Sequence, residues 1–203
     1  LPYEVAISTL DGRAYYALSK LLKEVGLAYE AFVPGQKLDS RIGLVITTKK
    51  ERDLIQHHNV VCLEDLGADG KDMQERIFGL LYGGKDSTFV VGIDPGESIG
   101  LAAYYPRSEL DVGVFESTEK AIDRVEQLIR NANAAKKIVR LGYGKPDVAR
   151  EIVRELRKRA LEASIELVDE TGTSSLARGS KGKGTKDQRS AWMIALRRGR
   201  KVG

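Results

Sequence analysis

The chain has 203 residues, 42% of them hydrophobic and 31% charged, with a formal net charge of +4 and a single cysteine. That composition supports a packed core, excludes a disulfide framework within one chain, and leaves no apolar run near the roughly 18 residues a membrane helix needs. Residues 85–203 hold 23 of the 33 basic and 17 of the 29 acidic side chains, so the basic excess belongs to the C-terminal part, where it suits a polyanionic partner or a solvated surface.

Leu1-Pro2-Tyr3-Glu4 lacks the basic-then-apolar order of a signal peptide, and Cys62 lies in an apolar, strand-like run. Both point to a cytoplasmic protein with a core thiol rather than a nucleophile. Abundant Lys, Arg and Glu with few Asn, Gln and Cys leans towards a thermophile.

Val5 and Ile7 alternate in an expected strand over 4–9. Asp11-Gly12 opens a helix to about Gly26, with Leu18, Leu21, Leu22 and Val25 at helical spacing. Strands are expected over 28–33 and 42–48, the second nearly all apolar and therefore central. A short helix over 49–58, a strand over 59–64 and a closing helix over 71–82 complete a small α/β layer structure, residues 1–84, with no glycine-rich phosphate loop. His57 and His58 are adjacent and point in different directions, and no third ligand is spaced to complete a metal site. Residues 83–87, Gly-Gly-Lys-Asp-Ser, are expected as a linker.

The pattern then changes to βββαβαβα over a second domain, residues 85–203. Strands are expected at 88–93, 98–104 and 111–116, with Pro106-Arg107-Ser108 as the second turn. A helix starts at Ser117, a fourth strand spans 136–142, and a helix runs from Pro146 to about Ala163. A fifth strand spans 164–168, and the last helix runs from Asp187 to about Arg198. Asp94 ends the first of these strands and precedes Pro95-Gly96. It is either a metal ligand at the mouth of a sheet or a turn-capping acid.

Four stretches in this order resemble the RuvC/YqgF branch of the ribonuclease H-like superfamily, which includes Holliday-junction resolvases and rRNA-processing nucleases. They are Gly92-Ile93-Asp94-Pro95-Gly96 with Gly100-Leu101-Ala102, then Leu141-Gly142-Tyr143-Gly144-Lys145-Pro146. Val168-Asp169-Glu170-Thr171 with Thr173-Ser174-Ser175 follows, and Lys186-Asp187-Gln188-Arg189-Ser190-Ala191 is the last. The resemblance covers about 87–199. It implies a ribonuclease H-like mixed sheet preceded by a small α/β domain, with the first strand central. Asp94, Asp169 or Glu170, and Asp187 would converge at its C-terminal edge. Such acids would hold Mg²⁺ or Mn²⁺ and hydrolyse phosphodiesters, with Asp94, Asp169 and Asp187 as metal ligands and Glu170 assisting. Plain structural roles stand beside these: Asp187 as the N-cap of the last helix, Asp169 as a turn cap.

Active resolvases of this branch carry a glutamate at the end of the fourth strand, whereas residues 136–144 here contain no acid. Asp147 follows Pro146 and suits a helix N-terminus, so Glu170 or Glu97 substitutes or the protein binds without cutting efficiently. Between Asp169 and Asp187, Arg178, Lys181, Lys183 and Lys186 alternate with Gly, Ser and Thr. That loop is either a phosphate-gripping segment or a solvated polar one. Arg197–Lys201 reads as a basic tail and Trp192 as core rather than a base-stacking ring.

The expected function is a metal-dependent nuclease on branched DNA or structured RNA, with a homodimer suited to a two-fold symmetric junction. The alternative is a non-catalytic nucleic-acid-binding protein with a degenerate site. An actin-like nucleotide-handling protein would need a second such domain and another phosphate loop, neither of which is visible. A purely structural partner protein would lack nucleic-acid affinity.

Overall fold

A computed structural model describes residues 4–67, 69–105, 108–169 and 185–202, with the backbone alone at 108–112. The chain divides into two compact units, Leu1–Leu81 and Tyr82–Gly203.

The first unit contains strands β1 (Val5–Ser8), β2 (Tyr29–Phe32), β3 (Leu44–Thr47) and β4 (Val60–Cys62), with helices α1 (Gly12–Glu24) and α2 (Gly70–Tyr82). The sheet is all parallel in the order β2-β1-β3-β4. β1 and β3 are interior strands and every one of their residues is buried, which accounts for the nearly all-apolar run of β3. Alternation sorts their side chains to two faces. Val5 and Ile7 pack with Leu18, Leu22 and Ile77, while Ala6 and Val45 pack with Ile42 and Ile55. Asp11 starts α1 as its N-cap, accepting from the amides of Arg13 and Ala14.

The helix expected over 49–58 is a 3-10 turn at Arg52–Leu54. Ile55 turns extended to reach the core, and Glu51 is held instead by Thr9, the Leu10 amide and Thr48. The ring nitrogens of His57 lie 2.9 and 3.1 Å from the carbonyls of Asn59 and Ile42, which gives that ring a structural place in the loop.

The second unit contains β5 (Gly84–Pro95), β6 (Ile99–Tyr105), β7 (Ser108–Phe115), α3 (Thr118–Asn131), β8 (Ala134–Gly142), α4 (Pro146–Lys158), β9 (Ser164–Val168), α5 (Lys186–Leu196) and β10 (Arg200–Lys201). Its sheet is mixed, in the order β10-β9-β8-β5-β6-β7. β5 is central, antiparallel to β6 and parallel to β8, and β8 is parallel to β9. This is the ribonuclease H-like arrangement the element order implies, with the first strand of the unit in the middle.

Three local expectations change. The glycines at 83–87 do not form a linker: Gly84 pairs with Ala134 across a bulge, and Ser87 donates to the Gly84 carbonyl at 2.8 Å. The long β8 supplies ladder partners that draw this turn-prone stretch into β5. α4 stops at Lys158 rather than near Ala163, because Ala160 takes a left-handed φ of 47°. Arg200–Lys201 is an edge strand on β9 rather than a loose tail, extended by the Val202 amide donating to Ile165. Among the described residues, no helix is long and apolar enough to cross a membrane.

Candidate active site

Asp94 lies near the C-terminal end of central β5 and pairs with Gly100 on β6. Paired residues of an antiparallel ladder share a face, and so do residues two apart on a strand. Gly92, Asp94 and Gly100 therefore occupy one face, and α5 lies against it. A Cβ at Gly92 would stand 2.2 Å from the Ala191 carbonyl oxygen, and one at Gly100 2.2 Å from the Asp187 carbonyl oxygen. The helix backbone rests directly on the sheet at both points, a closeness that only glycine permits.

This seat brings two of the expected acids together. A Cβ at Gly100 would lie 3.3 Å from Asp187 Cβ. Cβ positions of paired residues are about 4.5–5.5 Å apart, which puts Asp94 and Asp187 Cβ atoms within about 9 Å. Asp187 is not the cap of its helix. Thr185 takes that position in a capping box with Gln188, leaving the Asp187 carboxylate to accept a 2.7 Å hydrogen bond from Ser98 Oγ.

Asp169 is exposed just past β9. Through β8, its neighbour Val168 is level with Asp94, two strand spacings or roughly 10 Å away. The Asp169 carbonyl accepts from Arg197, which lies past the far end of α5, about 15 Å along the helix from Asp187. Among the described residues, no group of three or more His, Cys, Asp or Glu is gathered so as to hold a metal. Glu170, Arg178, Lys181 and Lys183 lie outside the described residues. Lys186 is exposed at the first position of α5, beside Asp187. Glu97 is exposed in the β5–β6 turn. Asp147 is at the surface in the first turn of α4, where it pairs with Arg150 at 2.7 Å.

The fourth strand, where the resemblance leads one to look for an acid, contributes a cation. Arg140 pairs with Gly92 in the β5–β8 ladder, so it shares the α5 face. Its guanidinium donates to Glu166 on β9 at 2.9 Å and to the Ala195 carbonyl at 2.6 Å. Glu166 also accepts from the Gly199 amide. This cation satisfies a carbonyl at the C-terminal end of α5 and fixes that end of the helix. The Trp192 ring, half-buried, packs on Tyr104 at 5.5 Å between centroids.

Ser98 and Glu166 are site residues that sequence patterning does not single out, and Gly92 and Gly100 enter there only as part of a motif, without their role as the seat of α5. The signal present in the chain is glycine at two strand positions eight apart on either side of a turn, which marks close backbone approach.

The carboxylates of Asp94 and Asp187, on neighbouring backbone positions, are hard oxygen donors. Mg²⁺ is commonly bound through one or two carboxylates, with water and substrate phosphate completing its shell, so Asp94 and Asp187 suit such an ion.

No family model matches the chain, and no curated protein matches it. Among solved structures, the X-ray structure of Marinitoga piezophila Argonaute in complex with a 5′-OH guide RNA and target DNA is distantly similar. It shows 11% identity over 82% of this chain and 39% of that one, at a TM-score of 0.27. Clostridium butyricum Argonaute bound to a guide DNA and a 19-mer target DNA shows 9% identity over 83% and 35%, at a TM-score of 0.25. The chain spans about two-fifths or less of either protein, and a likeness this distant carries no function to it.

Proposed function

We propose that this chain is a divalent-metal-dependent endonuclease of the RuvC/YqgF type, acting on branched DNA or structured RNA. In this reading residues 1–84 and 85–203 are separate domains and the second carries the chemistry. The observation that supports it most is the seating of the Asp187 main chain on Gly100, directly opposite Asp94 at the C-terminal end of the central strand. Asp94 and Asp187 would hold Mg²⁺ or Mn²⁺, with Asp169 and Glu170 joining from the end of β9. When bound, such an ion activates water and stabilises the departing oxygen of a phosphodiester. Ser98 orients the Asp187 carboxylate, and Arg178, Lys181, Lys183 and Lys186 would neutralise substrate phosphates.

The second reading is nucleic-acid binding without cleavage. It is favoured by the α5-facing position on β8 being Arg140, already committed to Glu166. Incubation of labelled four-way junction, flap, duplex and hairpin RNA with Mn²⁺ or Mg²⁺, beside Asp94→Asn, separates the two. Cleavage abolished in the variant supports the nuclease. Salt-sensitive binding without cleavage on any substrate leaves the second reading.

A further inference from the structure

A groove of about 600 Å³ runs between α4 and the strands β9 and β10 of the second unit. Val153, Leu167 and Val202 make its apolar floor. Arg150, Arg154, Arg157 and Lys158 line it from α4, and no carboxylate lines it among the described residues. Leu167 alternates along β9 with Glu166, which faces α5, so the groove opens on the opposite face of the sheet from the Asp94–Asp187 corner.

We propose that this groove binds single-stranded nucleic acid, with the arginines on successive phosphates and Tyr143 stacked on a base. Charge complementarity selects a polyanion. Arg150, Arg154 and Arg157 stand at i, i+4 and i+7 on one exposed stripe of α4, so their guanidinium groups recur along the groove about every turn. Planar guanidinium groups suit phosphate oxygens in pairs. Two of these arginines meet weak competitors: Asp147, on Arg150, is 96% exposed, and Glu155 approaches Arg154 only to 3.5 Å while it pairs with Lys158 at 2.8 Å.

The apolar floor and the 40% exposed Tyr143 ring give flat surfaces that a base can use and an acidic peptide cannot. A duplex hides its bases, so only a single strand places phosphates on the stripe and a base on the ring together. Position links the groove to the candidate active site. Tyr143 follows the end of β8, and its amide donates to Val168, at the same edge of the sheet as Asp94. A strand leaving that edge past Tyr143 enters the groove. The choice of nucleic acid among polyanions rests on the function proposed above.

The test is fluorescence anisotropy of the full chain with labelled short oligo-dT and oligo-U in EDTA, across a salt series. Arg150→Ala/Arg154→Ala should weaken binding about tenfold or more and flatten the log–log salt slope by about 1.4, or 0.7 for each phosphate no longer neutralised. Tyr143→Ala should weaken it about fivefold or more with the slope unchanged. Arg154→Lys, which keeps the charge, should fall between wild type and the double variant. Far-UV circular dichroism melts show whether each variant is folded. Wild-type affinity in the folded arginine and tyrosine variants overturns the proposal. So does a wild-type protein that binds neither oligomer, or that binds poly-glutamate in their place. Asp94→Asn should lose cleavage while its oligo-dT binding still depends on Arg150, Arg154 and Tyr143. Loss of cleavage activity and loss of groove binding are thus read separately, and the groove stands under either proposed reading, with cleavage or with binding alone.

Discussion

Ser98 Oγ donates a 2.7 Å hydrogen bond to Asp187 Oδ2, joining the β5–β6 turn to the first turn of α5 across 89 residues of sequence. Both groups are partly buried, and the acceptor is a carboxylate, so the bond is stronger than one between neutral partners. Ser98→Ala should cost roughly 1–2 kcal/mol in urea unfolding, with an unchanged m-value. A loss under a few tenths would mean that the carboxylate is held equally well by solvent.

Gly100 and Gly92 test the helix seat directly. A methyl at either would meet a backbone carbonyl at 2.2 Å, and backbone yields less readily than a flexible side chain. Gly100→Ala and Gly92→Ala should each destabilise by about 3 kcal/mol or more. Gly12→Ala, where nothing lies within 4 Å, should stay within about 1 kcal/mol of wild type on the stabilising side. Equal melting temperatures for all three would contradict the close approach of α5.

Periodicity exposes most of the fold because each strand is buried on a definite face. The 42–48 run reads as a central strand and is one, while the alternation of Val5 and Ile7 reads as a strand and does not show that the sheet buries both of its faces. The last helix is legible through its apolar residues, but its capping is not. Asp187 reads as the N-cap in sequence, and the capping box of Thr185 with Gln188 makes Thr185 the cap instead. Residues 83–87 mislead because glycines signal turns locally, while the partner that straightens them, Ala134, lies some fifty positions away. Arg140 and Glu166 are invisible for the same reason: each looks like a surface charge until β8 and β9 are laid side by side. At the site, the chain order of Asp94 and Asp187 is readable, and their meeting through Gly100 is not.

Acid should weaken the contact between α3 and α4. The Arg159 guanidinium, with Arg130 beside it, holds the Glu126 carboxyl below its ordinary value of 4.5. Arg159 is reciprocally raised by Glu126 and Asp123. A carboxylate depressed on folding contributes stability that is fully present above its unfolded value and lost as pH falls through the folded one. The difference in urea midpoint between wild type and Arg159→Ala should therefore be constant above about pH 5 and shrink towards zero as pH drops further. A difference that stays constant down to about pH 3 would show that Arg159 acts through packing alone.

Arg140 and Glu166 form the most enclosed ion pair among those described, their side chains 11% and 18% exposed. Removing one partner leaves the other charge desolvated under α5. Glu166→Ala should destabilise by roughly 2–4 kcal/mol, and it also frees the Gly199 amide. Arg140→Met/Glu166→Leu should recover much of that loss, because an apolar pair of similar volume avoids desolvating charge. A double variant no more stable than Glu166→Ala would locate the value of the pair in the Ala195 and Gly199 hydrogen bonds instead.

Metal binding should register as stability before any cleavage is measured. If Asp94 and Asp187 share an ion, Mn²⁺ at about a hundredfold excess over its Kd should stabilise the second unit by about 2.7 kcal/mol. Asp94→Asn should lose that gain while staying folded in EDTA. Asp187→Asn should lose the gain and also melt lower in EDTA, because the Ser98 hydroxyl then meets a neutral amide in place of a carboxylate. Asp169→Asn separates the wider ligand set from the narrower one. A Mn²⁺ response that survives it confines the ion to the Gly100 corner, and one that disappears brings the end of β9 into the site. No response in the wild-type melt would remove the support for a metal at these two acids and favour binding without cleavage.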